Sequence, residues 1–163
     1  MLNGEIALVS GATRGIGRAI ATELGRQGAM VVGTATTQAG AERIDEDLKA
    51  SGITGRGLVM NVTDNASIGD ALKAAGDEFG APGILVNNAG ITRDNLLMRM
   101  KDEEWDVIID TNLSSVYRLS KACLRPMMKA KQGRIINIAS VIGAMGNAGQ
   151  SNYAAAKAGM MGF

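Results

Sequence analysis

Histidine is absent from the 163-residue sequence. That absence excludes imidazole acid–base catalysis, serine–histidine triads and histidine-ligated metals, so no metal site is expected. Any catalytic proton must sit on another side chain. Cysteine occurs once, at Cys123, which rules out an internal disulfide and suits a reducing compartment. Aromatic residues make up only 3% of the chain against 46% for all hydrophobic types, so the core must be aliphatic and methionine-rich. No apolar run is long enough to span a bilayer, and no membrane partner is expected. The start, MLNGEIALVSG, lacks the basic region and long apolar stretch of a secretory leader, so a cytoplasmic location is expected. With 17 basic and 16 acidic residues the net charge is +1. Such a balance offers no overall field to gather nucleic acid, and none is expected as a partner.

What is present is a regular alternation. EIALVS, MVVGTA, RGLVMN, GILVNN and RIINIAS are apolar nearly throughout and read as five buried parallel strands. Between them lie amphipathic stretches that predict helices over Gly15–Gly28, Ala39–Ser51, Asn65–Phe79 and Asp102–Lys131. The last is expected to bend near Asn112. It is also expected to be interrupted at Pro126, whose ring clashes with the carbonyl four residues earlier. This rhythm predicts an α/β fold, a doubly wound parallel sheet of Rossmann type, with residues 1–163 forming a single domain.

The turn Gly11-Ala12-Thr13-Arg14-Gly15-Ile16-Gly17 falls between the first strand and the first helix. Glycines there let the backbone approach a pyrophosphate, which rests on the positive end of the following helix. A tight strand–helix turn with no ligand is the plainer alternative, and the position of the loop favours the nucleotide. At the end of the second strand, Gly33-Thr34-Ala35-Thr36-Thr37-Gln38 contains no acid to accept from a ribose 2′-hydroxyl, and the first carboxylate is Glu42. Arg14 can pair with a 2′-phosphate instead. NADP(H) is therefore the expected cofactor, against the reading of Arg14 as a solvated surface residue.

Tyr153 and Lys157 stand four apart and share one helical face. A nearby ammonium favours the phenolate, so the phenol can give a proton to a carbonyl or take one from an alcohol. Alone this pair means little, because the spacing is common on solvated helices. Ser140 ends the strand RIINIAS, where such folds bind ligands, and can donate to a substrate carbonyl or simply cap a loop. Asn112 either holds a water linking Lys157 to solvent or marks the bend.

Taken together, GATRGIG, Asn87-Asn88-Ala89-Gly90, Asn112, Ser140 and Tyr153-x-x-x-Lys157 resemble the short-chain dehydrogenase/reductase family, in order along the whole chain. The stretch NNAGITRDNLLMRMKDEEWDVIIDTNLSSVYRLSKA is similar to the bacterial 3-oxoacyl-[acyl-carrier-protein] reductases within it. The resemblance implies reduction of a 3-oxoacyl group by NADPH in fatty acid synthesis. It implies Tyr153 as proton donor and Lys157 as the group that lowers its pKa and binds the nicotinamide ribose. Ser140 would polarise the 3-oxo group, and Asn112 would complete a proton relay. It also implies a cofactor site lined by Gly11, Ala12, Thr13, Arg14, Gly15, Ile16, Gly17, Thr36, Asn61, Val62, Asn88, Ala89 and Gly90, together with Tyr153 and Lys157. From the residues alone, Asn61 equally suits capping of the helix begun at Thr63-Asp64, and Asn87–Gly90 equally suits a plain turn.

The acyl carrier protein implied as partner is acidic. Arg125, Lys129, Lys131 and Arg134 form a candidate docking patch, against the reading of a solvated charged face. Gly83 stands where the family has Asp, so the fourth strand is expected to be less firmly anchored. Family members continue beyond Phe163 with further strands, a lid and helices, so the chain is expected to be the N-terminal two-thirds of the family domain. The fifth strand is then expected to be a bare edge, unstable in a monomer unless another chain covers it. Homo-oligomerisation, to a tetramer in the intact family, is implied as well. A nucleotide-binding remnant without activity, or a reductase of another small carbonyl, is the alternative.

Overall fold

A computed structural model describes residues 1–163. The chain runs β1 (Ile6–Val9), α1 (Gly15–Arg26), β2 (Met30–Ala35), α2 (Gln38–Ala50), β3 (Gly55–Val59), α3 (Asn65–Glu78) and β4 (Ile84–Asn87). A short 3-10 turn, Leu97–Arg99, precedes α4 (Asp102–Ile109), a π-helical turn at Asp110–Ser114 and α5 (Ser115–Ala130). β5 (Arg134–Asn137), α6 (Val141–Met145) and α7 (Ser151–Gly162) follow. No helix is long and apolar enough to cross a membrane.

The five strands form one parallel sheet in the order β3-β2-β1-β4-β5. The chain winds outward from β1 to β3, then returns to place β4 on the other side of β1. Strand order therefore reverses beside β1, and a crevice opens there at the carboxyl ends of the strands.

Both faces of the sheet are covered, which explains the continuously apolar strands. Side chains alternate faces. Ala7, Val9, Val31, Ile84 and Val86 pack with Ala21, Ile44 and Leu48 of α1 and α2. Leu8, Val32 and Leu85 pack the other way, with Ile68 and Ala71 of α3 and Leu119, Cys123 and Met127 of α5. Each large aliphatic side chain buried this way contributes about 1.5–3 kcal/mol. A one-residue slip in register would exchange the two sets.

Two sequence expectations require correction. Pro126 does not interrupt its helix: α5 continues through it to Ala130. Leu119, Cys123 and Met127 lie on one face, four residues apart, and all three are buried, so tertiary packing on both sides of the proline holds the helix together. β5 is not a buried strand. It forms the sheet edge, as expected for the fifth strand, and Ile135 and Ile136 are 37% and 43% exposed because no strand lies beyond β5.

The bend near Asn112 falls within the π-helical turn, where one extra residue re-aims α5 relative to α4. Gly83 is held by its backbone on both sides: its N–H donates to Ile6 O at 3.0 Å and its carbonyl accepts from Arg134 N at 2.9 Å.

Candidate active site

The glycine turn is closed by backbone contact. Gly11 takes φ +67°, and a Cβ there would lie 3.1 Å from Ala89 Cα. A Cβ on Gly17 would collide with the Gly11 carbonyl oxygen and Asn88 Nδ2. Asn88 braces the turn by donating from Nδ2 to Ser10 O and Gly11 O, both at 3.0 Å. Ser10 answers from β1: its Oγ accepts from Asn88 N and Ala89 N at 3.0 Å and donates to Val86 O at 3.2 Å. Asn87-Asn88-Ala89-Gly90 is thus a structural partner of the glycine turn.

α2 and α3 are capped by side chains, Thr37 accepting from Gly40 N and Asp64 from Ala66 N. α1 has no side-chain cap. Its first-turn N–H groups, at the positive end of the helix dipole, therefore have no side-chain cap to accept from them. Gly15, at φ +56°, has nothing within 4 Å of where a Cβ would stand, so the open side of the turn is bare.

That side opens onto a cavity of about 980 Å³ at the carboxyl ends of β1, β2, β3 and β4. Its size and donor set fit a dinucleotide phosphate. The glycine turn lines it except for Ala12, which is buried beneath and donates its N–H to Thr34 O at 3.0 Å. Thr36, Asn61, Val62, Asn88, Ala89 and Gly90 line it too, and so do Thr37, Arg43, Ile91 and Thr111, which the sequence did not single out. Asn61 does not cap α3. Its Oδ1 accepts from Thr63 N at 3.0 Å and Thr63 Oγ1 at 2.8 Å, closing a turn before the Asp64 cap. No bond occupies Asn61 Nδ2.

Tyr153, Lys157, Ser140 and Asn112 lie outside the cavity lining, on neighbouring elements. Lys157 is 5% exposed and donates from Nζ to Ile138 O at 2.7 Å. Its nitrogen stands 5.6 Å from the centre of the Tyr153 ring, and no carboxylate pairs with it. Burial pushes its pKa below the ordinary lysine value. Ile138 N–H in turn donates to Asn87 O at 2.9 Å, so the lysine anchor continues the β4–β5 ladder.

Ser140 sits at the N-terminus of α6, where its Oγ accepts from Ile142 N at 3.2 Å. The cap uses a lone pair and leaves the hydroxyl proton free to donate. Gly143 allows α6 to rest on α7, because a Cβ there would lie 2.8 Å from the Lys157 carbonyl carbon and 2.9 Å from Ala158 N. The serine turn and the lysine helix are therefore in backbone contact.

Asn112 is fully buried, and its carboxamide is clamped to one residue: Oδ1 accepts from Ile91 N at 2.9 Å and Nδ2 donates to Ile91 O at 2.8 Å. Since Ile91 lines the cavity, this clamp joins the π-turn to the cavity wall.

Asn152 and Glu104 also hold the site together, though neither stood out in the sequence. Asn152 is fully buried, donating from Nδ2 to Arg93 O at 2.9 Å and Glu104 O at 3.0 Å and accepting at Oδ1 from Tyr153 N at 2.8 Å. It fixes the start of α7, and with it Tyr153, against α4. The Glu104 carboxylate accepts from Lys101 N and from Asn95 Nδ2, and these bonds hold it below the ordinary carboxylate range.

This combination of a doubly wound sheet, an uncapped glycine turn and a Tyr/Lys helix packed on the serine turn defines a class. The short chain dehydrogenase family model matches residues 5–163, and the chain belongs to that family. Among curated relatives, it is 64% identical over 162 residues to the 3-oxoacyl-[acyl-carrier-protein] reductase FabG of Pseudomonas aeruginosa, covering 99% of this chain and 66% of the relative. It is 65% identical over 160 residues to the enzyme of the same name from Escherichia coli, covering 98% and 64%. The Vibrio harveyi enzyme is 65% identical over 162 residues, covering 99% and 65%. The chain thus spans about two-thirds of the length of these relatives.

Proposed function

We propose that the protein reduces a 3-oxoacyl group carried on acyl carrier protein to the 3-hydroxyacyl form, with NADPH as reductant, in the cytoplasm. The observation that carries this reading is the buried Lys157 ammonium, free of any carboxylate, beside the Tyr153 ring, in a chain whose glycine turn opens onto a dinucleotide-sized cavity. The similarity to 3-oxoacyl-[acyl-carrier-protein] reductases named above supports the substrate.

The uncapped α1 terminus and the glycine turn would hold the pyrophosphate, and Arg14 with Thr36 the 2′-phosphate corner. When bound, the cofactor supplies a hydride to the carbonyl carbon. Ser140 orients the carbonyl oxygen with its free hydroxyl proton. Tyr153 gives its phenolic proton to that oxygen, and the Lys157 ammonium stabilises the negative charge left on the ring. Lys157 keeps two further N–H groups beyond its bond to Ile138 O, and these suit ribose hydroxyls. Asn112 completes the relay through the remaining lone pair of its Oδ1, where a water can link the lysine to solvent.

Arg125, Lys129, Lys131 and Arg134 are exposed and join no ion pair, which suits docking of an acidic carrier. The functional assembly on this reading is a homotetramer. Charge reversal at Lys129 and Lys131 is expected to raise KM for the carrier-linked substrate and leave KM for a small 3-oxoacyl thioester unchanged. Equal effects on both substrates would remove the docking role. Failure of the protein to oxidise NADPH with either substrate would remove the activity.

A further inference from the structure

Arg14 is not the only cation at its end of the cavity. Arg43, on the second turn of α2, lines the same wall as Arg14, Thr36, Thr37 and Gly40. The two arginines come from separate elements, the glycine turn and α2, and line one cavity. Neither joins any ion pair of the molecule.

Three of the four acids close to Arg43 in sequence are engaged elsewhere, and the fourth, Glu46, is exposed and pairs with neither arginine. Glu42 accepts from Gln38 Nε2 at 3.0 Å, Asp45 accepts from Gly57 N at 2.6 Å, and Asp47 pairs with Arg18 at 2.7 Å. The first turn of α2 contains no acid, so the positive end of that helix adds to the same field. Thr37 uses a lone pair of Oγ1 for Gly40 N and keeps its proton to donate. Two free guanidinium groups, a hydroxyl donor and a helix N-terminus suit a dianion better than a ribose hydroxyl.

We propose that Arg43 is the second cation of a two-arginine clamp on the cofactor 2′-phosphate, and that it helps set preference for the phosphorylated dinucleotide. This inference rests on the NADP(H) reading above. Arg14 reaches the phosphate from the glycine turn and Arg43 from α2, so each supplies its own charge-assisted bonds. Both are exposed, and their contribution falls as salt rises.

The test measures dissociation constants for two probes, 2′,5′-ADP and 5′-AMP, on the unaltered protein and on Arg43→Ala and Arg43→Lys. Arg43→Ala is expected to weaken 2′,5′-ADP about tenfold and to leave 5′-AMP unchanged. Arg43→Lys is expected to restore part of the loss, and the salt dependence of 2′,5′-ADP binding is expected to flatten in Arg43→Ala. Equal losses for both probes, or no loss for either, would overturn the role of Arg43 while leaving the cofactor reading intact. If the unaltered protein binds the two probes equally, the NADP(H) reading itself falls, and this proposal with it.

Discussion

Gly143→Ala probes the contact that joins the serine turn to the lysine helix. The added Cβ would lie 2.8 Å from the Lys157 carbonyl carbon and 2.9 Å from both Ala158 N and Lys157 Cβ, where ordinary contact begins at 3.4 Å. Relief requires α6 and α7 to separate by about 0.6 Å (3.4 − 2.8), because two of the three atoms met are backbone and cannot rotate away. Overpacking of this kind costs about 1–3 kcal/mol, while replacing a helical glycine by alanine returns about 0.5–1 kcal/mol. The net loss is about 0–2.5 kcal/mol, a fall in Tm of up to about 10 °C for a chain of this size. The separation also draws Ser140 away from Tyr153 and Lys157, and displacement on this scale can lower turnover by up to about 100-fold. Gly143 does not line the cavity, so the phosphate end of the cofactor keeps its contacts, and any loss of NADPH affinity is confined to the Lys157 ribose contact. A thermal melt, a cofactor titration and a turnover assay together read all three quantities. An unchanged Tm with full turnover would refute the reasoning, because it would mean that the helices do not touch as described.

Asn152→Ala removes the partner of three groups: Arg93 O, Glu104 O and Tyr153 N. At about 1 kcal/mol or more for each, it is expected to lower stability by at least about 3 kcal/mol in a urea titration, and a loss below about 1 kcal/mol would contradict the account. Cys123 titrates in the opposite direction to Lys157, because burial pushes the thiol up from about 9.0 to about 11. The unfolded chain loses this proton above about 9.0 while the folded chain keeps it, so stability falls as pH rises from there toward 11. Cys123→Ala is expected to reduce that alkaline slope, measured by denaturant midpoints across the pH range, and the native thiol is expected to resist alkylation until the protein unfolds.

Much of this arrangement is legible in the sequence for identifiable reasons. Parallel strands buried on both faces leave continuous apolar runs, so EIALVS, MVVGTA and GILVNN announce β1, β2 and β4 directly. The glycine turn is equally plain, since its conformations and close approaches leave little room for other residues. β5 shows that burial depends on strand order: RIINIAS is as apolar as its neighbours and reads as buried from composition alone, while the family resemblance places it at the edge, where it stands. Pro126 misleads because local propensity argues for a break while the packing of Met127 and Cys123 prevents one. α6 is too short to show a helical period, and so its contact through Gly143 is invisible beforehand. Ser10 could have been noticed, as a polar residue ending an apolar strand beside the glycine turn. Arg43 and Asn152 could not, because an arginine on an amphipathic helix and an asparagine before a tyrosine acquire meaning only from what folds beside them.

The central claim is that the Tyr153 phenol, held beside the Lys157 ammonium, protonates the carbonyl oxygen as it is reduced. NADPH affinity and turnover with a 3-oxoacyl thioester, measured side by side for the unaltered protein and Tyr153→Phe, test it most directly. The account predicts that Tyr153→Phe binds NADPH as before and fails to oxidise it. Turnover by Tyr153→Phe at the rate of the unaltered protein would contradict the account.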